Sequence, residues 1–126
     1  MSGVADVHVL CASADVPEPG SRGFAIDVGG ETPLRLFVVR KDGRVTAYRN
    51  SCPHTGAPLE WQPDQFLDLD NSFIQCSIHG ALFRTEDGLC LRGPCVGQSL
   101  RALSVRVDSG RLVVDLPVED RGSGTD

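Results

Sequence analysis

Apolar and polar residues alternate along this chain in short runs with a period near two. The runs are "VHVL" (7–10), "FAIDV" (24–28), "LRLFVVR" (34–40), "RVTAYRN" (44–50), "LSVRVD" (103–108) and "RLVVDL" (111–116). Side chains of a strand point alternately to its two faces, so this period predicts strands, and no stretch sustains helical spacing. Lys41-Asp42-Gly43 separates the third and fourth runs and Ser109-Gly110 the last two. Both tolerate the positive φ of tight turns and predict hairpins. In the last hairpin Leu103, Val105 and Val107 are expected to face a core, with Ser104, Arg106 and Asp108 outward. "VPEPGSRG" (16–23) and "GGETP" (29–33) read as a loop and a turn, and the polar, Gly-rich tail "EDRGSGTD" (119–126) as disordered. Short strands at this spacing predict an all-β sandwich or small barrel.

The 126 residues suit a single domain, 1–126. Twelve basic against 17 acidic residues give a net charge of −5, which opposes binding to nucleic acid or to an anionic membrane. No apolar run approaches the roughly 18 residues of a membrane span. The N-terminus lacks the basic and apolar regions of a signal peptide, so a cytoplasmic location is expected. There, five cysteines are better read as metal ligands or free thiols than as a disulfide framework.

The chemistry concentrates in two boxes. "CPHTGAPLEW" runs from Cys52 to Trp61, and "CSIHGALF" from Cys76 to Phe83. Cys52, His54, Cys76 and His79 form a mixed thiolate–imidazole set that suits zinc or an iron–sulfur pair. Each box supplies one Cys and one His, which favours two adjacent irons, one taking both thiolates and the other both imidazoles. Gly56 and Gly80 follow the histidines, where a glycine allows backbone N–H groups to approach a sulfide. A third turn-rich stretch, "RGPCVGQSL" (92–100), could cover the cluster's flank.

Cys-x-His-x-Gly followed by Cys-x-x-His-Gly resembles the paired boxes of Rieske 2Fe–2S proteins, and the resemblance spans about residues 24–116. It implies a Rieske-type antiparallel β-sandwich with two cluster-binding loops in a small subdomain at about 50–97. It also implies one 2Fe–2S cluster per chain, ligated by Cys52, His54, Cys76 and His79. The twenty-one residues between His54 and Cys76 are a few more than small Rieske ferredoxins usually carry. Two thiolates and two neutral imidazoles leave the oxidised site uncharged, which eases reduction relative to a four-thiolate cluster. Imidazoles can also lose protons, so reduction at high pH is expected to take protons up. The high-potential members have a second cysteine in each box, a Ser after the second His-Gly and a Tyr two residues on. This chain lacks both cysteines and has Ala81 and Phe83 at the other two positions. Without those hydroxyl donors the potential is expected near the low end of the Rieske range, about −150 mV.

Only His8 remains as a further histidine, so a mononuclear oxygen-activating iron has too few ligands and independent catalysis is not expected. The resemblance implies a ferredoxin passing electrons from a flavin-dependent reductase to a terminal oxygenase, as a monomer or weak oligomer. A small subunit similar to that of assimilatory nitrite reductase, and a zinc-stabilised structural module, are the alternatives. Elsewhere His8 and Cys11 read as ordinary structural residues. Cys90 and Cys95 read as two free thiols, with a disulfide or second metal site as alternatives. Glu60, Asp64, Asp68 and Asp70 read as a solvated acidic face or a docking patch, and Trp61 as a packing anchor.

Overall fold

The computed structural model describes residues 6–27, 31–53, 56–77 and 80–116. Its regular structure is nine strands and a 3-10 turn at Ser13–Asp15. The strands are β1 (Asp6–Ala12), β2 (Gly20–Ile26), β3 (Leu34–Lys41), β4 (Arg44–Arg49), β5 (Ile74–Gln75), β6 (Leu82–Phe83), β7 (Cys90–Arg92), β8 (Ala102–Asp108) and β9 (Arg111–Leu116). All pairings are antiparallel, in a six-stranded sheet of order β1-β9-β8-β4-β3-β2 and a three-stranded sheet of order β5-β6-β7. The expected all-β antiparallel architecture is thus present; the second box spans the β5–β6 connection of the small sheet, and the first lies between β4 and β5. The tail 119–126 lies outside the described residues.

Both expected hairpins form. Asp42 and Gly43 take φ of 54° and 77°, and Ser109 and Gly110 take 54° and 78°. These paired positive angles match the right-handed twist of the flanking strands.

β3 organises the interior because both of its faces are apolar. Leu36 and Val38 enter one core with Leu103, Leu112, Val114 and Leu116. Phe37 and Val39 enter a second core with Leu59, Phe66, Ile74, Phe83 and four cysteines. β4 divides likewise, with Ala47 in the first core and Tyr48 in the second. The first core gathers side chains of β3, β4, β8 and β9, and the second packs the small sheet against β3 and β4.

Two expectations need correction. Val107 is 54% exposed, although Leu103 is buried as expected and Val105 half-buried. β4 meets β8 only at Ala47–Leu103 and Tyr48–Ala102, so the far end of β8 has β9 alone beside it. Residues 20–23 were expected in a loop but form the first half of β2, paired from Gly20–Arg40 to Gly23–Phe37. Backbone pairing to a buried neighbour overrides a local sequence with no apolar alternation.

The long segment between the boxes docks on this same part of β2. Gly23 N–H donates to Asp64 Oδ1 at 2.8 Å, Ser21 Oγ–H to the Asp64 carbonyl at 2.8 Å, and Phe66 N–H to Ser21 Oγ at 3.1 Å. Phe66 stacks on Phe37 at 4.3 Å between centroids, and a Cβ on Gly23 would lie 3.0 Å from its ring. The segment therefore caps an edge strand whose polar groups would otherwise be open to pairing.

Candidate metal centre

The two boxes are built as the same loop twice. In the first, Cys52 N–H donates to the Ala57 carbonyl at 2.9 Å and Gly56 N–H to the Cys52 carbonyl at 2.7 Å. In the second, Cys76 N–H donates to the Ala81 carbonyl at 2.9 Å and Gly80 N–H to the Cys76 carbonyl at 3.0 Å. Each loop thus closes on its cysteine from the fourth and fifth residues onward. The fourth is glycine in both, at φ of 78° for Gly56 and 67° for Gly80. These angles are costly for residues with a Cβ, which is why glycine occupies them. The glycines' own N–H groups are both spent on the cysteine carbonyls.

Cys52 and Cys76 are 3% and 0% exposed and share the second core with Ala81 and Phe83. Ser77 N–H donates to the Leu59 carbonyl at 2.9 Å, joining the boxes directly. His54 and His79 lie outside the described residues. Among the described residues no three His, Cys, Asp or Glu side chains converge on a metal position. The described half of the candidate site is therefore two buried thiols on matched loops. That donor chemistry fits an iron of a 2Fe–2S cluster, since thiolates are its usual ligands.

Asn50 holds the first box from below, and the sequence reading missed it. Its Oδ1 accepts from Leu59 N–H at 2.7 Å, its Nδ2 donates to Glu60 Oε1 at 2.9 Å, and its own N–H donates to the Arg35 carbonyl. An Asn two residues before a Cys/His box was the available signal, and it is a faint one.

The stretch 92–100 packs against the second box at Ala81. Gly93 has φ of 109°, and a Cβ there would lie 2.8 Å from Ala81 Cβ. Glycine thus lets this loop touch the second box. Beneath it Cys90 and Cys95 are buried thiols, not a disulfide. Burial, reinforced by the contact with Cys90, pushes the Cys95 thiol up to about 12.

Of the acidic residues between the boxes, Asp64 and Asp70 are exposed and Glu60 and Asp68 half-buried. Asp64 caps β2, Asp68 Oδ1 accepts from Ser72 and Phe73 N–H, and Glu60 accepts from Asn50. Trp61 is 43% exposed and donates from Nε1 to the Leu67 carbonyl at 3.1 Å, so it braces a turn and is not a buried anchor. His8 is half-buried on β1 opposite Val114, with an unpartnered buried Nε2. Cys11 packs against the first core as expected.

A family model of the Rieske 2Fe–2S domain matches residues 6–112. Among solved structures, a chain of the complex of reduced oxygenase and oxidised ferredoxin in carbazole 1,9a-dioxygenase is 27% identical, with TM-score 0.69, covering 86% of this chain and 92% of that one. The ferredoxin of carbazole 1,9a-dioxygenase from Nocardioides aromaticivorans IC177 is 23% identical, with TM-score 0.70 and coverage of 89% and 99%. The terminal oxygenase of carbazole 1,9a-dioxygenase from Novosphingobium sp. KA1 is 22% identical, with TM-score 0.67. This chain covers 31% of it while 90% of this chain is covered. Comparison with curated proteins returns no match.

Proposed function

The chain belongs to the Rieske 2Fe–2S domain family, and from that premise we propose that it is the ferredoxin of an oxygenase system, taking electrons from a flavin-dependent reductase. Its cofactor is a 2Fe–2S cluster and its role is electron carriage, which sets aside the zinc-stabilised module. When bound, the cluster accepts and releases one electron. We assign its ligands as Cys52, His54, Cys76 and His79, one Cys and one His from each box.

The observation that carries the ligand assignment is the repeated loop closure. Two loops closed alike on Cys52 and Cys76, and joined by the Ser77–Leu59 hydrogen bond, present two thiols from one buried core. The partner assignment is supported by the 27% identical chain, which is taken from a ferredoxin–oxygenase complex. It is also supported by exposed apolar residues beside the site. Val96 is 60% exposed and Leu91 43% exposed, on and next to the loop that touches the second box. An apolar rim this close to a buried redox centre suits brief docking with a short electron path.

Metal and acid-labile sulfide analysis of the purified protein tests the cofactor. Two irons and two sulfides per chain are expected; one zinc and no sulfide would contradict the assignment.

A further inference from the structure

Cys90 opens β7 and Cys95 lies in the loop that follows, and neither is needed as a cluster ligand. Their Sγ atoms are 3.2 Å apart, at 2% and 0% exposure. The Cys95 thiol donates to Cys90 Sγ, and the Cys90 thiol donates to the Arg92 carbonyl at 3.2 Å. The backbone holds the two residues in register: Cys90 N–H donates to the Gln98 carbonyl at 2.8 Å and Gly97 N–H to the Cys90 carbonyl at 3.4 Å. Arg92, Gly93, Pro94, Val96 and Gly97 around them are all exposed. A single layer of surface loop therefore covers two thiols already in contact.

We propose that Cys90 and Cys95 are a reversible dithiol–disulfide couple that locks loop 93–97 onto β7 beside the metal centre. A disulfide needs the sulfurs at about 2.05 Å, so the observed pair must close by little more than an ångström. The oxidant is a low-molecular-weight disulfide. One cysteine, as thiolate, attacks it and releases one small thiol, forming a mixed disulfide. The second cysteine then displaces the other small thiol. Two protein thiols lose two electrons and two protons, and the small disulfide gains both as two thiols. The lock bears on the metal centre because Gly93 sits against Ala81, whose carbonyl closes the Cys76 loop.

The test uses the cluster-loaded protein under anaerobic conditions, equilibrated in glutathione buffers of rising disulfide content, then acid-quenched and alkylated. Trypsin cuts after Arg84, Arg92 and Arg101, which leaves Cys90 and Cys95 in separate peptides, 85–92 and 93–101. Mass spectrometry is expected to find these two peptides linked at oxidising ratios and separate again at reducing ones, with the visible absorbance retained. Recovery of both peptides unlinked at every ratio would overturn the proposal. The locking half is read from bleaching by an iron chelator. Bleaching is expected to be several-fold slower in the oxidised wild type than in the reduced one, with no such dependence in Cys95→Ser. Equal rates in the two wild-type states would overturn it. The peptide readout does not depend on the redox partner, so its failure would leave the ferredoxin assignment standing.

Discussion

Tyr48 is the only tyrosine in the chain, and its surroundings make it a reporter of the second core. Its hydroxyl donates to the buried Thr85 carbonyl at 2.7 Å, and burial pushes its pKa up to about 12. Ultraviolet titration is therefore expected to show phenolate appearing near pH 12, with a midpoint near the ordinary value of 10 only after unfolding. The sign follows: between about 10 and 12 the unfolded chain loses a proton that the folded chain keeps, so stability falls across that window and is unaffected below it. Tyr48→Phe is expected to cost about 0.5–1.5 kcal/mol by denaturant unfolding, because the Thr85 carbonyl loses one of two donors and keeps the bond from the Thr46 hydroxyl at 3.1 Å. At the metal centre, Cys52→Ser or Cys76→Ser is expected to abolish cluster assembly, while Cys90→Ser and Cys95→Ser leave the visible spectrum nearly intact. The box cysteines were legible in the sequence because their chemistry is written in residue type and short spacing. Asn50 and the capping role of Asp64 were not, since the Asp64–Gly23 bond joins positions 41 apart and neither residue type announces its partner.

Among the elements, the hairpin turns and the long strands could be read directly, since Asp-Gly, Ser-Gly and alternation each follow from local sterics. β5, β6 and β7 could not, because strands of two or three residues have no period to detect. The glycines rank these loops in a way that can be tested. Gly56 has positive φ, and among the described residues a Cβ added there would meet only Ser51 Oγ, at 4.0 Å, so Gly56→Ala is expected to carry mainly the backbone cost, about 1–2 kcal/mol. Gly93→Ala carries the same cost and a contact of 2.8 Å with Ala81, and one of the two backbones must shift. Denaturant unfolding is expected to rank Gly93→Ala as the more damaging, with faster loss of the visible chromophore; equal costs would mean that the third loop does not press on the second box.

At the scale of the whole molecule, one sheet serves two cores, and the second core holds Cys52 and Cys76, the two thiolates proposed as cluster ligands. Sequence resemblance anticipated that architecture over about residues 24–116, and the family match extends it to residue 6. The hydrogen bonds of Glu60, Asp64 and Asp68 were not legible, because a run of acidic residues does not say which carboxylates are already bonded. The central proposal, a low-potential carrier for an oxygenase, depends on what surrounds the cluster. Ala81 and Phe83 are 1% and 0% exposed in the core that holds Cys52 and Cys76, and neither can donate a hydrogen bond to sulfur from its side chain. Ala81→Ser and Phe83→Tyr are each expected to raise the potential by about 60–130 mV where the new hydroxyl reaches a sulfur, the equivalent of a charge-assisted hydrogen bond formed on reduction. In Ala81→Ser the hydroxyl must turn away from Gly93, which already fills one side. Protein-film voltammetry of the unmodified protein tests the proposal most directly. A midpoint near about −150 mV is expected; a midpoint well above zero would contradict both the role given to Ala81 and Phe83 and the ferredoxin assignment.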